Sequence, residues 1–394
     1  MKLIRRPGLW NRVPATAPRR EARRCAHVQA APPAGSFRRV RRLLLAGLVA
    51  LLLAPPSAAH ARAPGFVGMT SEDVLAGSAA YRAQTLATQR ASGVRLLRQK
   101  FDWAIIEANP RRYELGWYDG FVLAAASHGI RVLPVLFNAP RFYARQRGNA
   151  FCPPRRTARM ARFARALVRR YGPRGSLWRQ NPGVRKLPIR SWQIWNEPNL
   201  RVYWCGRPSA RAYARMLRIV GKSIRRMHRR AEIVTAGLPA SELTGTVPLP
   251  RYIRQLYRAG AKRWFTTLAI NSYARNHRDL GRLLHGTRRL MNGWGDRRAR
   301  IWVTELGWGD RGPRHRFVVG SRGQARRITR SYAYVRRHRR RLRLRGVVYY
   351  SWRDAPPYPP HYKDMWGLHT GLLRLDRSPK PAYHAFRRAV RAFR

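Results

Sequence analysis

Short apolar segments alternate with longer amphipathic segments along most of this chain. Eight apolar runs of six to eight residues predict buried β-strands. These strands are predicted at residues 65–70, 94–100, 130–137, 189–195, 232–237, 265–271, 300–305 and 346–351. Because amphipathic segments separate them, we expect an α/β fold with parallel strands joined by helices.

The amphipathic segments predict eight helices. They are predicted at residues 78–91, 117–127, 157–171, 209–229, 250–259, 279–292, 321–341 and 381–393. Several end at a glycine, the residue preferred just beyond a helix C-terminus, as at Gly93, Gly129, Gly172 and Gly260. Eight strand–helix pairs in about 330 residues match a (β/α)₈ TIM barrel. An open doubly wound sheet is the competing architecture, but no glycine-rich phosphate loop follows the first predicted strand.

The N-terminal 61 residues have the pattern of a secretory signal. Residues 1–42 are basic, residues 43–54 form an apolar run, and small residues then lead to a predicted cleavage site after Ala61. The alternative is an uncleaved membrane anchor, although a run of twelve residues falls short of the ~20 that a spanning helix needs. We expect residues 62–394 to form one secreted or cell-surface domain without a membrane span.

Net charge adds a further expectation. Lys and Arg number 82 against 17 Asp and Glu, which gives a net charge of +65. This excess indicates affinity for anionic surfaces such as acidic polysaccharides, wall polymers or nucleic acid. A general compositional bias toward Arg, Ala, Gly and Pro also explains the excess, and we prefer that explanation. No predicted helix interleaves basic and aromatic residues as a nucleic-acid module does, so we expect non-specific adhesion to anionic polymers and no specific nucleic-acid partner.

Two of the eight glutamates lie at the C-terminal ends of predicted strands. Glu197 lies just past the fourth strand and Glu305 ends the seventh. The C-terminal ends of barrel strands meet at one rim, so both carboxylates are expected there. Two carboxylates flanking a glycosidic bond are what acetal hydrolysis requires. The alternative is a pair of structural ion pairs, which so many arginines would readily form.

The sequence around these glutamates resembles a known enzyme group. Trp-Asn-Glu-Pro at 195–198 and Thr-Glu-Leu-Gly-Trp at 304–308 are similar to motifs of the retaining glycoside hydrolase clan with (β/α)₈ barrels, which includes family 5 cellulases and family 39 β-xylosidases. Phe-Asp-Trp at 101–103 and the segment 376–383 also match. The resemblance covers the chain from about residue 65 to its end.

The resemblance implies a role for each matching residue. Glu197 would be the acid/base and Glu305 the nucleophile of a double displacement. Asn196 would bind the 2-hydroxyl of the sugar, and Arg98 would keep Glu305 ionised. One departure is that Asn271 stands where the clan often has histidine after the sixth strand, whereas Tyr273 is retained and is expected to bond to Glu305.

Aromatic residues and cysteines complete the predicted site. Trp352, which closes the eighth strand, and Trp204 and Trp308 are expected to form platforms for sugar rings. Cys152 and Cys205 lie in the loops after the third and fourth strands, and we predict a disulfide between them at the rim. The chain has no CxxC or HExxH motif, and we expect neither a metal nor a cofactor.

We therefore expect a secreted retaining O-glycosyl hydrolase that acts on a β-linked glycan. One alternative is a catalytically silent barrel that binds glycans or polyanions. Another is a transglycosylase, which would use the same residues. The sequence leaves the sugar, the linkage and the choice between endo and exo cleavage open.

Overall fold

A computed structural model of the protein describes residues 65–146, 151–241, 243–356 and 364–393. Its strands form one parallel sheet. They are β1 (Val67–Thr70), β2 (Leu96–Asp102), β3 (Arg131–Phe137), β4 (Ser191–Ile194), β5 (Glu232–Val234), β6 (Leu238–Pro239), β7 (Thr267–Asn271), β8 (Arg300–Glu305) and β9 (Leu344–Tyr350). The predicted secretory segment lies outside the described residues.

The sheet closes into a barrel of eight positions. The strand order is β5-β4-β3-β2-β1-β9-β8-β7-β6, and an additional pairing of β5 with β7 closes the ring. β5 and β6 share the fifth position, because β7 pairs with β5 at Val234 and with β6 at Leu238 and Pro239. The predicted (β/α)₈ TIM barrel is therefore confirmed, and the open doubly wound sheet is excluded.

All eight predicted helices are present, with ends within three residues of the predicted ones. They are α2 (Ala79–Ala91), α4 (Gly116–Ser127), α5 (Thr157–Tyr171), α7 (Ala210–Met227), α8 (Leu249–Arg258), α9 (His277–Gly293), α10 (Gly320–His338) and α11 (Pro381–Arg391). Three helices of four or five residues were not predicted, namely α1 (Glu72–Ala76), α3 (Trp103–Ile106) and α6 (Ser176–Gln180). Segments this short carry too few turns to show a helical period.

Side-chain caps explain where several helices begin. Ser78 accepts a hydrogen bond from the backbone N–H of Tyr81, and Ser209 accepts one from Ala212. Each cap satisfies one of the backbone donors that the first helical turn leaves without a partner, which stabilises a helix by about 1 kcal/mol. Gly260 adopts a φ of 71° just beyond α8, where a side chain would be strained.

The core has two layers, one inside the barrel and one between the barrel and its helices. The inner layer consists of Leu96, Leu133, Val234, Ala269, Trp302 and Val348. The outer layer packs the helices around it; α7 alone buries nine residues against the barrel. This apolar filling lies below the C-terminal ends of the strands, so polar side chains that point inward concentrate at the rim above it.

Among the described residues, no helix combines the length and the apolar character needed to cross a membrane.

Candidate active site

Strained backbone at the end of β4 positions the first carboxylate. Trp195 and Glu197 have positive φ angles of 71° and 43°, a region that side chains other than glycine rarely adopt. The indole Nε1 of Trp195 donates to the carbonyl of Tyr203 at 2.9 Å and holds the turn in place. Strained backbone of this kind persists only where many surrounding contacts hold it in place, and it is found most often at functional sites.

Asn271 joins the two glutamates that the sequence singled out. Its side-chain Nδ2 donates to Oε1 of Glu197 at 2.6 Å and to Oε1 of Glu305 at 3.0 Å. Those two oxygens are therefore no farther apart than about 5.6 Å, the length of the bonds of 2.6 and 3.0 Å laid end to end. Thr304 fixes the orientation of the amide by donating its hydroxyl to Asn271 Oδ1 at 2.9 Å.

Arg98 reaches Glu305 from β2. Its Nη1 lies 2.7 Å from Oε1 of Glu305, and both side chains are almost fully buried. The rest of the guanidinium is also held: Nε donates to Oε1 of Gln193 at 2.8 Å and Nη2 donates to Oδ1 of Asn196 at 3.0 Å. A planar fork fixed at three points directs its charge at one carboxylate.

Tyr273 supplies a third donor to Glu305, through a hydrogen bond from its hydroxyl to Oε2. Burial and then the charge of Glu305 raise the pKa of Tyr273 well above its usual value, so the hydroxyl stays a proton donor. Glu305 thus accepts hydrogen bonds from Arg98, Asn271 and Tyr273. Three donors, one of them a guanidinium, therefore converge on this carboxyl group.

Glu197 lies in a different environment. Burial, followed by the charge of Glu305, raises the pKa of Glu197 to about 8, and the hydrogen bond from Asn271 and the charge of Arg98 oppose the rise only in part. Glu197 is therefore mostly protonated at neutral pH. The pair thus sets a carboxyl group with a raised pKa beside one that accepts three hydrogen bonds, which is the asymmetry that acid and nucleophile roles require.

The three tryptophans predicted as sugar platforms are core residues in the structure. Trp204 and Trp352 each expose 1% of their surface, and Trp308 exposes none. Trp308 donates its Nε1 to the carbonyl of Ala274 at 2.7 Å, and Trp352 packs its ring edge-on against Tyr383. Their ring faces are covered by protein, so open stacking surfaces are not found at these positions.

The predicted disulfide is present. Cys152 and Cys205 are bonded, with their Cα atoms 5.1 Å apart. The bond links the loops that follow β3 and β4, beside the turn that carries Glu197. Within the described ranges, no group of three or more His, Cys, Asp or Glu side chains could hold a metal ion.

Sequence reasoning missed several residues that shape this site. Gln193, Asn271 and Thr304 were not predicted as site residues, although each is a polar residue within or at the end of a buried strand. Their position in buried strands could have identified them as site residues, because a buried polar group needs a hydrogen-bond partner inside the barrel. Trp366, one of the aromatic residues that follow the predicted strands, is half-buried and meets Tyr273 edge-on, with ring centroids 5.0 Å apart.

Comparison with known proteins gives a match in fold. No family model and no curated protein matches the sequence. Solved structures do match, among them a family 39 glycoside hydrolase from Bacteroides cellulosilyticus WH2, at a TM-score of 0.60 and 19% identity over 83% of this chain and 63% of that one. A monomeric β-xylosidase from Caulobacter crescentus CB15 gives a TM-score of 0.60 and 15% identity over 82% of this chain and 67% of that one.

An endo-β-1,4-mannanase from Thermotoga petrophila matches at a TM-score of 0.55 and 12% identity, over 83% of this chain and 76% of that one. The chain therefore spans 63–76% of the length of these three structures. It shares its (β/α)₈ fold with glycoside hydrolases, as the sequence motifs predicted.

Proposed function

We propose that the protein is a retaining O-glycosyl hydrolase that cleaves a β-linked glycan by double displacement. The observation that carries the proposal is the unequal pair of buried carboxylates at the barrel rim. Glu305 accepts three hydrogen bonds, one of them from Arg98, whereas the pKa of Glu197 is raised to about 8. The shared fold supports the same class of reaction, and the predicted signal favours a secreted protein.

In the first step, a carboxylate oxygen of Glu305 attacks the anomeric carbon while the bond to the leaving oxygen breaks. Glu197 gives its proton to that oxygen, so the leaving group departs as a neutral alcohol. A covalent glycosyl ester on Glu305 results. Retaining enzymes need their carboxyl groups about 5–5.5 Å apart, and the shared amide of Asn271 keeps this pair within such a distance.

In the second step, Glu197 is ionised and acts as a base. It takes a proton from water, the water oxygen attacks the anomeric carbon, and the ester bond to Glu305 breaks. Both carboxyl groups return to their starting protonation states. The same group can serve as acid and then as base because the ester on Glu305 carries no charge, which removes one of the two causes that raise the pKa of Glu197.

A catalytically silent barrel is the competing function. Such a protein would have no need to keep one carboxyl protonated and its neighbour ionised. Burying Glu197 without an ion-pair partner lowers stability, and a catalytic role would account for why that loss is tolerated. Within the described residues no Lys or Arg forms an ion pair with Glu197, which favours the enzyme.

Covalent labelling tests the proposal directly. A 2-deoxy-2-fluoro-β-glycoside with a good leaving group should add one glycosyl unit to the protein, and peptide mass spectrometry should locate it on Glu305. Glu305→Gln should abolish the label, whereas Glu114→Gln, at an exposed glutamate, should leave it unchanged. Absence of any adduct across a panel of fluoro-glycosides, with the barrel intact by circular dichroism, would favour the silent barrel.

A further inference from the structure

A groove on the flank of the barrel begins beside the candidate active site. It lies between α8 and α9 and has a volume of about 880 Å³. Tyr273, which donates to Glu305, lines its upper end together with Phe317, and Trp294 lines its lower end. A groove of this size is within the range of ligand-binding clefts. Tyr273 thus contacts both Glu305 and the groove, so the groove adjoins the candidate active site.

The groove is strongly cationic. Arg254, Arg275, Arg282, Arg289 and Arg316 line it, and Asp279 is the single carboxylate among its described lining residues. That carboxylate already forms ion pairs with Arg275 and Arg282. Asp279 therefore neutralises charge only at Arg275 and Arg282 and does not offset the other arginines of the groove.

Two of the arginines that line the groove form no ion pair with a described carboxylate. Arg254 extends from α8 and Arg289 from α9, both are exposed, and no carboxylate in the described part of the chain pairs with either. Like charges that face each other across a cleft destabilise it modestly in the absence of an anion and focus a positive potential into it. A planar guanidinium on each wall suits the two-pronged recognition of carboxylate or sulfate groups.

The lower end of the groove offers an aromatic surface. Trp294 exposes 37% of its area and stacks on Tyr257 at 5.8 Å with the rings nearly parallel. The supporting ring holds the indole in a fixed orientation while leaving part of it open. Indole faces pack against the C–H faces of sugars, so the groove combines anion recognition with a sugar platform.

We propose that this groove binds an anionic glycan, so that the substrate class of the enzyme is a polysaccharide bearing carboxylate or sulfate groups. That the glycan is a substrate rests on the proposed glycosidase function. Binding of the glycan in the groove does not depend on catalysis. The glycan would occupy the rim near Glu305 and extend along the groove past Arg254 and Arg289 to Trp294. Arginines on both walls would hold its charged groups.

Calorimetric titration of the full-length Glu305→Gln variant tests binding without turnover. The probes are an oligogalacturonide, a heparin-derived oligosaccharide and a neutral xylo-oligosaccharide of equal length, in 0.15 M salt. One anionic probe should bind at least tenfold more tightly than the neutral one, and its charged group identifies the preferred anion. Adding Arg254→Gln and Arg289→Gln should weaken that binding about tenfold, and Trp294→Ala should weaken it several-fold.

A matched control separates this groove from the charge of the whole protein. Arg169→Gln with Arg336→Gln removes the same number of charges from exposed positions on α5 and α10 and should leave the affinity within twofold. Equal losses in the two double variants, or equal affinity for charged and neutral probes, would overturn the groove proposal. Covalent labelling of Glu305 reports on the glycosidase separately, so either proposal can fail while the other stands.

Discussion

Replacing Asn271 by alanine should lower kcat/KM of the proposed glycosidase about 10- to 100-fold and shift the alkaline limb of its pH profile upward. The amide of Asn271 is fully buried and donates to both carboxyl groups. Alanine removes that donor and leaves the rest of the rim in place. The variant therefore tests whether one neutral side chain sets both the spacing and the protonation of the pair.

The magnitude follows from the contacts that are lost. A hydrogen bond to a charged group contributes about 1.5–3 kcal/mol, and each 1.4 kcal/mol of lost transition-state stabilisation lowers the rate tenfold. Glu305 keeps its donors Arg98 and Tyr273, so the loss of one hydrogen bond alone should lower kcat/KM by an amount near the lower end of the 10- to 100-fold range. If the two carboxyl groups also move apart, the loss in kcat/KM should be near the upper end of that range.

The sign of the pH shift follows from Glu197. Activity requires its protonated form in the first step, so the alkaline limb reports the loss of that proton, near pH 8 in the native protein. The hydrogen bond from Asn271 lowers the pKa of Glu197 because it stabilises the carboxylate. Without that bond the pKa rises further, and the limb of kcat/KM moves to higher pH.

Two further substitutions check the same reasoning without removing the amide. Thr304→Val removes the hydroxyl that donates to Asn271 Oδ1 and should give a smaller shift in the same direction. Gly237→Ala places a methyl group where it overlaps Asn271 Oδ1, so it should displace the amide and approach the effect of alanine at position 271. The assay is hydrolysis of an aryl β-glycoside between pH 4 and 10. An unchanged alkaline limb in Asn271→Ala, in a folded protein, would refute the role of the amide.

Two other predictions concern stability. Cys152→Ser with Cys205→Ser opens a loop of 53 residues and should lower the free energy of unfolding by about 4 kcal/mol, measured by urea denaturation; equal stability of the oxidised and double-mutant proteins would contradict it. Lys380→Met removes the buried cation that lies 2.6 Å from Asp310 and 2.8 Å from Asp354, so that Asp354 keeps only its longer ion pair with Arg311, at 3.5 Å. The substitution should lower the free energy of unfolding by about 3 kcal/mol in the same measurement, whereas a loss below about 1 kcal/mol would show that the network adds little.

The strand–helix pattern predicted the barrel well because each strand is buried on both sides and each helix on one. The exception is the fifth predicted strand, 232–237, of which only the first three residues form β5, while β6 begins at Leu238, just past the predicted end. Thr235 lies at the break, where its hydroxyl accepts the backbone N–H of Ala269 at 2.8 Å in place of a strand carbonyl. The pattern of apolar and polar residues cannot show where a side chain replaces a backbone carbonyl in the hydrogen bonding between two strands.

The candidate site was predictable only in part. Position at a strand end was enough to bring Glu197 and Glu305 together, because the barrel directs all such ends to one rim. The bridging amide of Asn271 could not be derived, since its contacts depend on rotamers that several strands determine jointly. The roles of Trp204, Trp308 and Trp352 were predicted from their chain position alone, but burial depends on how the loops fold back over the rim.

Two buried glutamates in this barrel show how surroundings decide the use of a carboxyl group. Burial raises the pKa of both, but at Glu232 the charges of Arg345 and Arg300 outweigh it and lower the pKa below its usual value. Arg300 and Arg345 lie 2.9 and 3.1 Å from that carboxylate, which acts as a structural anion at the N-terminal end of the barrel. Glu197 is just as buried, yet in a chain of 82 cations and 17 anions none of the described cations pairs with it. A pairing partner would have been easy to supply, so the absence of an ion pair at Glu197 among the described residues agrees with the proton-donor role that we propose for it.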